Sequence, residues 1–404
     1  MNVSATDGTI LQQPFDRGVR LVALSLIDDA QKAADNLTEH AADLRNGNAE
    51  GDEALHDLRV AVRRLRSWLG AFKPWLKKDV SRKRRRSLSS TAQGTRETRD
   101  AAVHLEWLRK ERPALNGRQR VGQAWLTERF EREREEGCGA ALTAAAEFGA
   151  IASALARKLT FYRAPVREPD TSDRFGTVFA EHLLAQSDKL RKRLGRVHEF
   201  TDVSEAHRAR IAAKNLRYVA EPIAKLVGRG DEMIQRLKKL QDSLGELHDV
   251  HVFAEELVTA TEKAAASRAR RVSEVVLTAD PDESDVDRIK RARARDPGPG
   301  LLGLARLLHE RGVQLFAEIE RDWLRDGGEP LFEQVEKFAG DVDQRVSVEN
   351  ETDAAPTDNL ELPQRVEHVA DREVTRDSDH ARTGLAKSNG DKAAAQEARE
   401  DARI

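Results

Sequence analysis

The sequence predicts an all-α protein built from two helical bundles of the same plan. Apolar residues recur with helical periodicity almost without interruption from about residue 17 to residue 345, and no segment shows the strict alternation of a β-strand. Aromatic residues make up only 5% of the chain, and Gly and Pro are concentrated in a few short connecting segments. Two motifs that recur in the same order indicate that the second bundle is a duplicate of the first.

The connecting segments and the local composition divide the chain into two bundles and two terminal segments. We expect a flexible N-terminus over residues 1–16, and polar, acidic sequence predicts a disordered tail over 346–404. Between them we place a first bundle at 17–160 and a second at 174–345. Loops are predicted at 163–173, 278–287 and 295–300.

The composition also excludes several classes of protein. A chain of 404 residues with 39% hydrophobic residues can bury sizeable cores, and 34% charged residues indicate a well-solvated surface. We see no apolar run near the roughly 18 residues of a membrane span and no signal peptide at the N-terminus, so we expect no membrane association. The lone Cys138 cannot form an internal disulfide, which favours the cytoplasm.

A histidine followed by regularly spaced basic residues occurs twice. "HDLRVAVRRLR" (56–66) matches "HRARIAAKNLR" (207–217) at an offset of 151 residues, and "ETRDAAVHLEWL" (97–108) matches "ELHDVHVFAEEL" (246–257) at an offset of 149. Both copies lie in positive blocks. From His56 to Asp100 there are 14 Lys and Arg against 4 Asp and Glu.

On a helix, each copy forms a basic stripe beside the apolar face. The first stripe spans an arc of roughly 80°. Like charges at these spacings repel by a few tenths of a kcal/mol per pair, and an anion would relieve that repulsion. From Arg59 to Arg66 the stripe rises about 10 Å, which suits a linear polyanion, and the forked guanidinium suits phosphate oxygens. The two stripes comprise His56, Arg59, Arg63 and Arg66, and His207, Arg210, Lys214 and Arg217. Arg64, beside the first stripe, is a further candidate for phosphate binding.

Other interpretations of the stripes stay open. A basic helix face is often only a solvated surface, but a solvated face has no reason to keep residue type and spacing in two copies. The same charges would attract nucleic acid, although the stripes lack interleaved aromatics and the Asn or Gln side chains that read bases. A third interpretation is a scaffold whose acidic tail recruits partners or occupies its own basic surface.

At these residues the sequence resembles the CHAD family, the conserved-histidine α-helical domain. "HDLRVAVRRLR" and "HRARIAAKNLRY" resemble its duplicated hallmark, and "LKKLQDSLGELHDVHVFAEEL" (237–257) resembles its downstream element. The resemblance covers about 17–345. It implies two pseudo-twofold related four-helix bundles with a basic central cavity that binds inorganic polyphosphate, and association with polyphosphate granules.

The sequence departs from the family pattern at several positions. Arg96 stands where the second copy has Gly245, Asn215 replaces the second arginine of the pair Arg63 and Arg64, and Pro222 is expected to kink or end its helix. Many relatives carry a CYTH triphosphatase domain with an E-x-E-x-K strand. No such strand is present, so we expect a binding protein without catalysis or cofactor.

Further residues are weaker candidates for the site. In "RKRRR", Arg82 and Arg86 are either solvated surface or added phosphate contacts at the mouth of the cavity, while Arg236 and Lys239 are candidates from the second copy. His248 and His251 share a helix face, but a third metal ligand is not evident, so we predict no metal site. The residues expected in the core are Trp68, Trp75, Trp107 and Trp125.

Overall fold

The computed structural model describes residues 8–161, 173–277 and 296–353, with side chains omitted at position 276 and from 347 onward. Within these ranges the chain is helical and forms no strand, apart from an isolated bridge between Pro14 and Arg174. The all-α prediction is confirmed.

The helices follow the amphipathic periodicity of the sequence. Short 3₁₀ turns are η1 (Gly8–Gln12), η2 (Arg112–Ala114) and η3 (Arg325–Gly328). The α-helices are α1 (Phe15–Glu39), α2 (Ala41–Asn46), α3 (Ala49–Ala71), α4 (Lys73–Leu76), α5 (Arg82–Gly94), α6 (Arg96–Glu111), α7 (Gly117–Leu159), α8 (Phe175–Leu194), α9 (Val203–Ala224), α10 (Gly230–Leu277), α11 (Gly298–Trp323) and α12 (Glu329–Asp353).

Helices of the two halves pack in corresponding pairs. Helix α1 packs on α3 as α8 packs on α9, and α6 packs on α7 as α10 packs on α11. Between the halves, α3 lies against α9 and α7 lies against α11. The backbones of α7 and α11 approach closely at Gly122 and Gly300, where a Cβ on Gly122 would lie 2.6 Å from the Gly300 carbonyl carbon. These pairs are compatible with the predicted duplication, which stays a prediction.

The hydrophobic cores do not follow the predicted bundle boundaries. The larger core combines α1, α3 and the second half of α7 with α8, α9, α12 and the first part of α10. The smaller core combines α6 and the first half of α7 with α11 and the following part of α10. Helix α7 has 43 residues and α10 has 48, so each runs about 65 Å or more, too long for one bundle. The division into 17–160 and 174–345 therefore marks two stretches of sequence that share both cores.

Both ends of the helical unit differ from expectation. Ile10 and Leu11 are fully buried, and the Phe175 N–H donates to the Gln13 carbonyl at 2.8 Å, so the N-terminus is docked from Gly8 onward. Val346 is also buried, so the predicted boundary at residue 345 is too early. The described residues up to Val348 belong to one compact unit, and beyond them the structure describes only the end of α12, through Asp353. The predicted disorder of the tail concerns residues that otherwise lie outside the described ranges.

Helix α7 contradicts the expectation that no segment could span a membrane. By length and composition, it contains an 18-residue window that could do so. Its side chains Ala141, Phe148 and Leu155 are nevertheless buried against other helices of the larger core. We interpret α7 as a core helix, because an interior helix is apolar for the same reason that a membrane helix is.

Two smaller expectations are corrected and two are confirmed. Trp75 is 43% exposed, whereas Trp68 is fully buried and donates its indole N–H to the Val19 carbonyl at 3.0 Å. The predicted loop 295–300 is shorter, since α11 begins at Gly298, while the other two loops lie almost entirely outside the described residues. Helix α9 ends at Ala224, two residues after Pro222, as expected for proline.

Candidate functional site

Helices α3 and α9 lie side by side, which brings the two basic stripes together. The Ser67 hydroxyl donates to the Asn215 side-chain oxygen at 3.3 Å. Arg64 of α3 pairs with Glu221 of α9 at 2.8 Å. Asn215, the departure from the family's arginine pair, therefore serves as a contact between the two helices.

Basic side chains from both halves share one electrostatic environment. Burial lowers the pKa of Arg59 and of Arg210, and the charge of Arg63 lowers both pKa values further. Since Arg59 and Arg63 lie on α3 and Arg210 lies on α9, the charges of the two stripes act on one another. We call this group the basic cluster; it comprises His56, Arg59, Arg63, Arg99, His207, Arg210, Lys214 and His248.

Arg59 is held by neutral oxygens. Its guanidinium donates to the Thr95 hydroxyl at 3.1 Å and to the Ala92 carbonyl at 3.4 Å. Burial, followed by the charge of Arg63, lowers its pKa to about 10, so Arg59 stays charged at neutral pH. The hydroxyl and the carbonyl orient the group without neutralising it, and its charge remains available to an anion.

Arg210 is the corresponding arginine of the second copy. Its Nε is buried and has no hydrogen-bond partner among the described residues. The guanidinium passes along α10 at Gly245, where a Cβ would lie 3.9 Å from Nε. A buried donor without a partner is costly, and an anionic oxygen would satisfy it.

Two aspartates from the duplicated downstream element oppose these charges. Burial lowers the pKa of Arg210, and Asp249 and Asp100 counteract that effect. Asp100 forms an ion pair with Arg96 at 3.1 Å rather than with a stripe arginine. Asp249 is exposed, yet desolvation by the surrounding protein raises its pKa, and the charge of Arg210 counteracts that effect.

The surroundings of the cluster's histidines lower their pKa values and favour the neutral form. His207 Nδ1 lies 3.4 Å from His248 Nδ1, so a hydrogen bond requires one nitrogen to donate and the other to accept. Burial, followed by the charges of Arg210 and His207, lowers the pKa of His248 to about 3. Burial also lowers the pKa of His207 and of His56.

Arg217 and Arg64 are engaged in contacts within the protein. Arg217 is only 8% exposed, pairs with Glu221 at 2.8 Å and donates to the Gln241 side chain at 2.9 Å. Because Glu221 also pairs with Arg64, the three side chains tie α3 to α9. Arg66, the remaining residue of the first stripe, is half-buried on α3.

The weaker candidates lie apart from the contacts that define the cluster. Arg82 and Arg86 are exposed at the first turns of α5, about 18 Å and 12 Å along the helix from its end near Thr95. The Arg236 guanidinium lies 6.0 Å from the ring of Trp323, and Lys239 is exposed on α10.

Sequence reasoning missed Arg99 and assigned His248 only to a possible metal site. Burial lowers the pKa of His56, and Arg99 is the strongest charge that lowers it further. The sequence did contain a sign that both residues belong to the site, because Arg99 and His248 occupy the same position of the duplicated downstream element. Among the described residues, no group of three or more His, Cys, Asp or Glu side chains is placed to hold a metal ion. His251 packs against Phe200 instead, with ring centroids 5.0 Å apart.

The predicted central cavity stays a prediction. One cleft of about 390 Å³ lies at the turn between α9 and α10, and another of about 470 Å³ lies between α7 and α10. Residues of the basic cluster line neither cleft.

Comparison with known proteins identifies the family. Solved structures similar to the chain include the CHAD domain from the plant Ricinus communis, with 20% identity, a TM-score of 0.48, and coverage of 74% of this chain and 94% of that one. PptA from Streptomyces chartreusis is similar with 17% identity, a TM-score of 0.44, and coverage of 72% and 99%. No curated protein matches significantly. The family profile of the CHAD domain matches residues 29–258, more than half of the chain, and the chain therefore belongs to the CHAD family.

Proposed function

We propose that the protein binds inorganic polyphosphate at the basic cluster, as a binding protein without catalysis of its own. The observation that carries the proposal is the convergence of half-buried cations from α3, α6 and α9, among which Arg59 donates to neutral oxygens. Arg210, whose buried Nε lacks a partner among the described residues, is the sharpest instance. The same proposal extends to association with polyphosphate in the cytoplasm or in granules.

A linear phosphate polyanion suits this arrangement better than a single carboxylate. The five cations of the cluster are Arg59, Arg63, Arg99, Arg210 and Lys214, and the nearby carboxylates are Asp57, Asp100, Glu246 and Asp249. Removing cations from water and crowding them raises the free energy of the unliganded protein, and neighbouring anionic oxygens lower it again. The cluster contains no aromatic side chain except histidine, so it offers little surface for stacking bases.

A double charge reversal tests the proposal. Arg63→Glu combined with Arg210→Glu should abolish binding to long-chain polyphosphate, because it replaces one cation from each stripe with an anion. The matched control is Arg109→Glu with Lys110→Glu, two exposed cations at the end of α6. Circular dichroism should report unchanged helix content in both variants. Wild-type affinity in the Arg63 and Arg210 variant would overturn the proposal.

A further inference from the structure

The first basic stripe continues beyond the duplicated motif. The spacing of three and four residues leads from Arg66 to Gly70, Lys73 and Lys77. Helix α4 follows α3 almost without a break, since the Phe72 N–H donates to the Trp68 carbonyl and the Leu76 N–H donates to the Phe72 carbonyl, both at 3.1 Å. Gly70 is exposed and faces open space, with no atom within 4 Å of a Cβ placed there.

Helix α5 brings a second set of cations to the same end. It runs antiparallel to α3, because Arg59 reaches Thr95 near the end of α5 and Arg85 donates to the Leu69 carbonyl at 2.5 Å. Residues 73–86 contain eight Lys and Arg and one acid, Asp79, which pairs with Arg20 at 2.7 Å. We call the exposed cations the basic extension; they are Lys73, Lys77, Lys78, Arg82, Lys83 and Arg86.

The second copy has no counterpart of this extension. At the offset of 151 residues, Gly70, Lys73 and Lys77 correspond to Glu221, Ala224 and Gly228. Glu221 is an acid engaged by Arg64 and Arg217, and Ala224 is buried. The basic surface therefore continues from the cluster along α3 and onto α4 and α5, and these three corresponding positions of the second copy carry no cations.

We propose that a bound polyanion leaves the basic cluster along α3 and lies on the basic extension, so that the protein prefers long chains over short ones. The inference rests on the proposed function and adds chain-length selectivity and a direction to it. The face of α3 along which the polyanion would lie extends about 20 Å from His56 to Gly70. A short polyphosphate contacts only the basic cluster. A long one neutralises the cations of both the basic cluster and the basic extension, and it therefore releases more counterions.

Binding of tripolyphosphate and of long-chain polyphosphate to the full chain tests the inference. The variant carries Lys73→Gln, Lys77→Gln, Arg82→Gln and Arg86→Gln, which lie outside the cluster and are exposed. We expect its affinity for long chains to fall about tenfold or more, and the slope of log affinity against log salt to become shallower by about 3. Its affinity for tripolyphosphate should change by less than about twofold, which also shows that the variant folds.

A matched control removes four exposed cations elsewhere, through Arg109→Gln, Lys110→Gln, Arg118→Gln and Arg120→Gln on α6 and α7. It should bind both ligands like the wild type. Equal loss of long-chain affinity in the control, or none in the extension variant, would overturn the inference while leaving the proposed function intact. Failure of the wild type to bind either polyphosphate would instead refute the proposed function.

Discussion

Polyphosphate binding should be coupled to proton uptake by the histidines of the basic cluster. In the free protein, burial and then the charge of Arg210 hold the pKa of His248 at about 3. Phosphate oxygens beside Arg210 and Lys214 would compensate these charges, so the pKa of His248 should rise on binding. His207 and His56 have lowered pKa values for similar reasons and should respond in the same direction.

The size of the effect follows from the pKa of His248. If binding returns this pKa to an ordinary value of about 6.5, the complex takes up about 0.75 proton at pH 6 and almost none at pH 8. The affinity then rises by up to about 30-fold between pH 8 and pH 5 through this residue alone. For the stability of the free protein, the pH dependence has the opposite direction. His248 binds a proton more weakly in the folded chain than in the unfolded chain, so the free energy of unfolding should fall as the pH drops below about 6.5.

Titration calorimetry in buffers of different ionisation enthalpy measures the proton count directly. His248→Asn should lower the uptake at pH 6, and the control His198→Asn, at an exposed position between α8 and α9, should leave it unchanged. An uptake below about 0.1 proton at pH 6, or an affinity that is flat between pH 8 and pH 5, would refute the reasoning.

Two further predictions concern stability. Glu221→Gln should lower the free energy of unfolding in urea by about 3 kcal/mol, because it leaves the buried Arg217 without its ionic partner; a loss below about 1 kcal/mol would show that the ion pair is not required. Gly122→Val should cost about 2 kcal/mol or more, since a side chain there collides with the backbone of Gly300, whereas Gly139→Val, at a position facing open space, should cost much less. Equal thermal shifts in the two glycine variants would contradict the close approach of α7 and α11.

Local spacing predicted the parts of the site that depend on one helix. The positions of His56, Arg59 and Arg63 on a common side of α3 follow from helical geometry, and the second copy of the motif lies on α9, which packs against α3. Packing α3 against α9 then combined the stripes. Similarity between two segments can indicate which helices pack together, because duplicated helices often occupy corresponding places in a fold.

Local spacing failed where a partner comes from another element. Arg217 has the same spacing as Arg66, yet it is buried, since Glu221 one turn later and Gln241 of α10 engage its guanidinium. Trp75 looked like a core residue because it follows an apolar helix, but α4 is only four residues long and leaves the indole at the surface. The bundle boundaries failed because α7 and α10 are long enough to serve both cores, a property of packing that periodicity does not encode.

The most direct test of the basic cluster as a polyphosphate site is an equilibrium binding series over increasing salt, with orthophosphate and duplex DNA as competitors. We predict saturable binding with a slope of log affinity against log salt of about −3 to −4 for the five cations of the cluster, and steeper for chains that also reach the extension. Polyphosphate should displace DNA readily, and DNA should barely displace polyphosphate. Absence of polyphosphate binding at low salt, or displacement by DNA at equal phosphate concentration, would contradict the account.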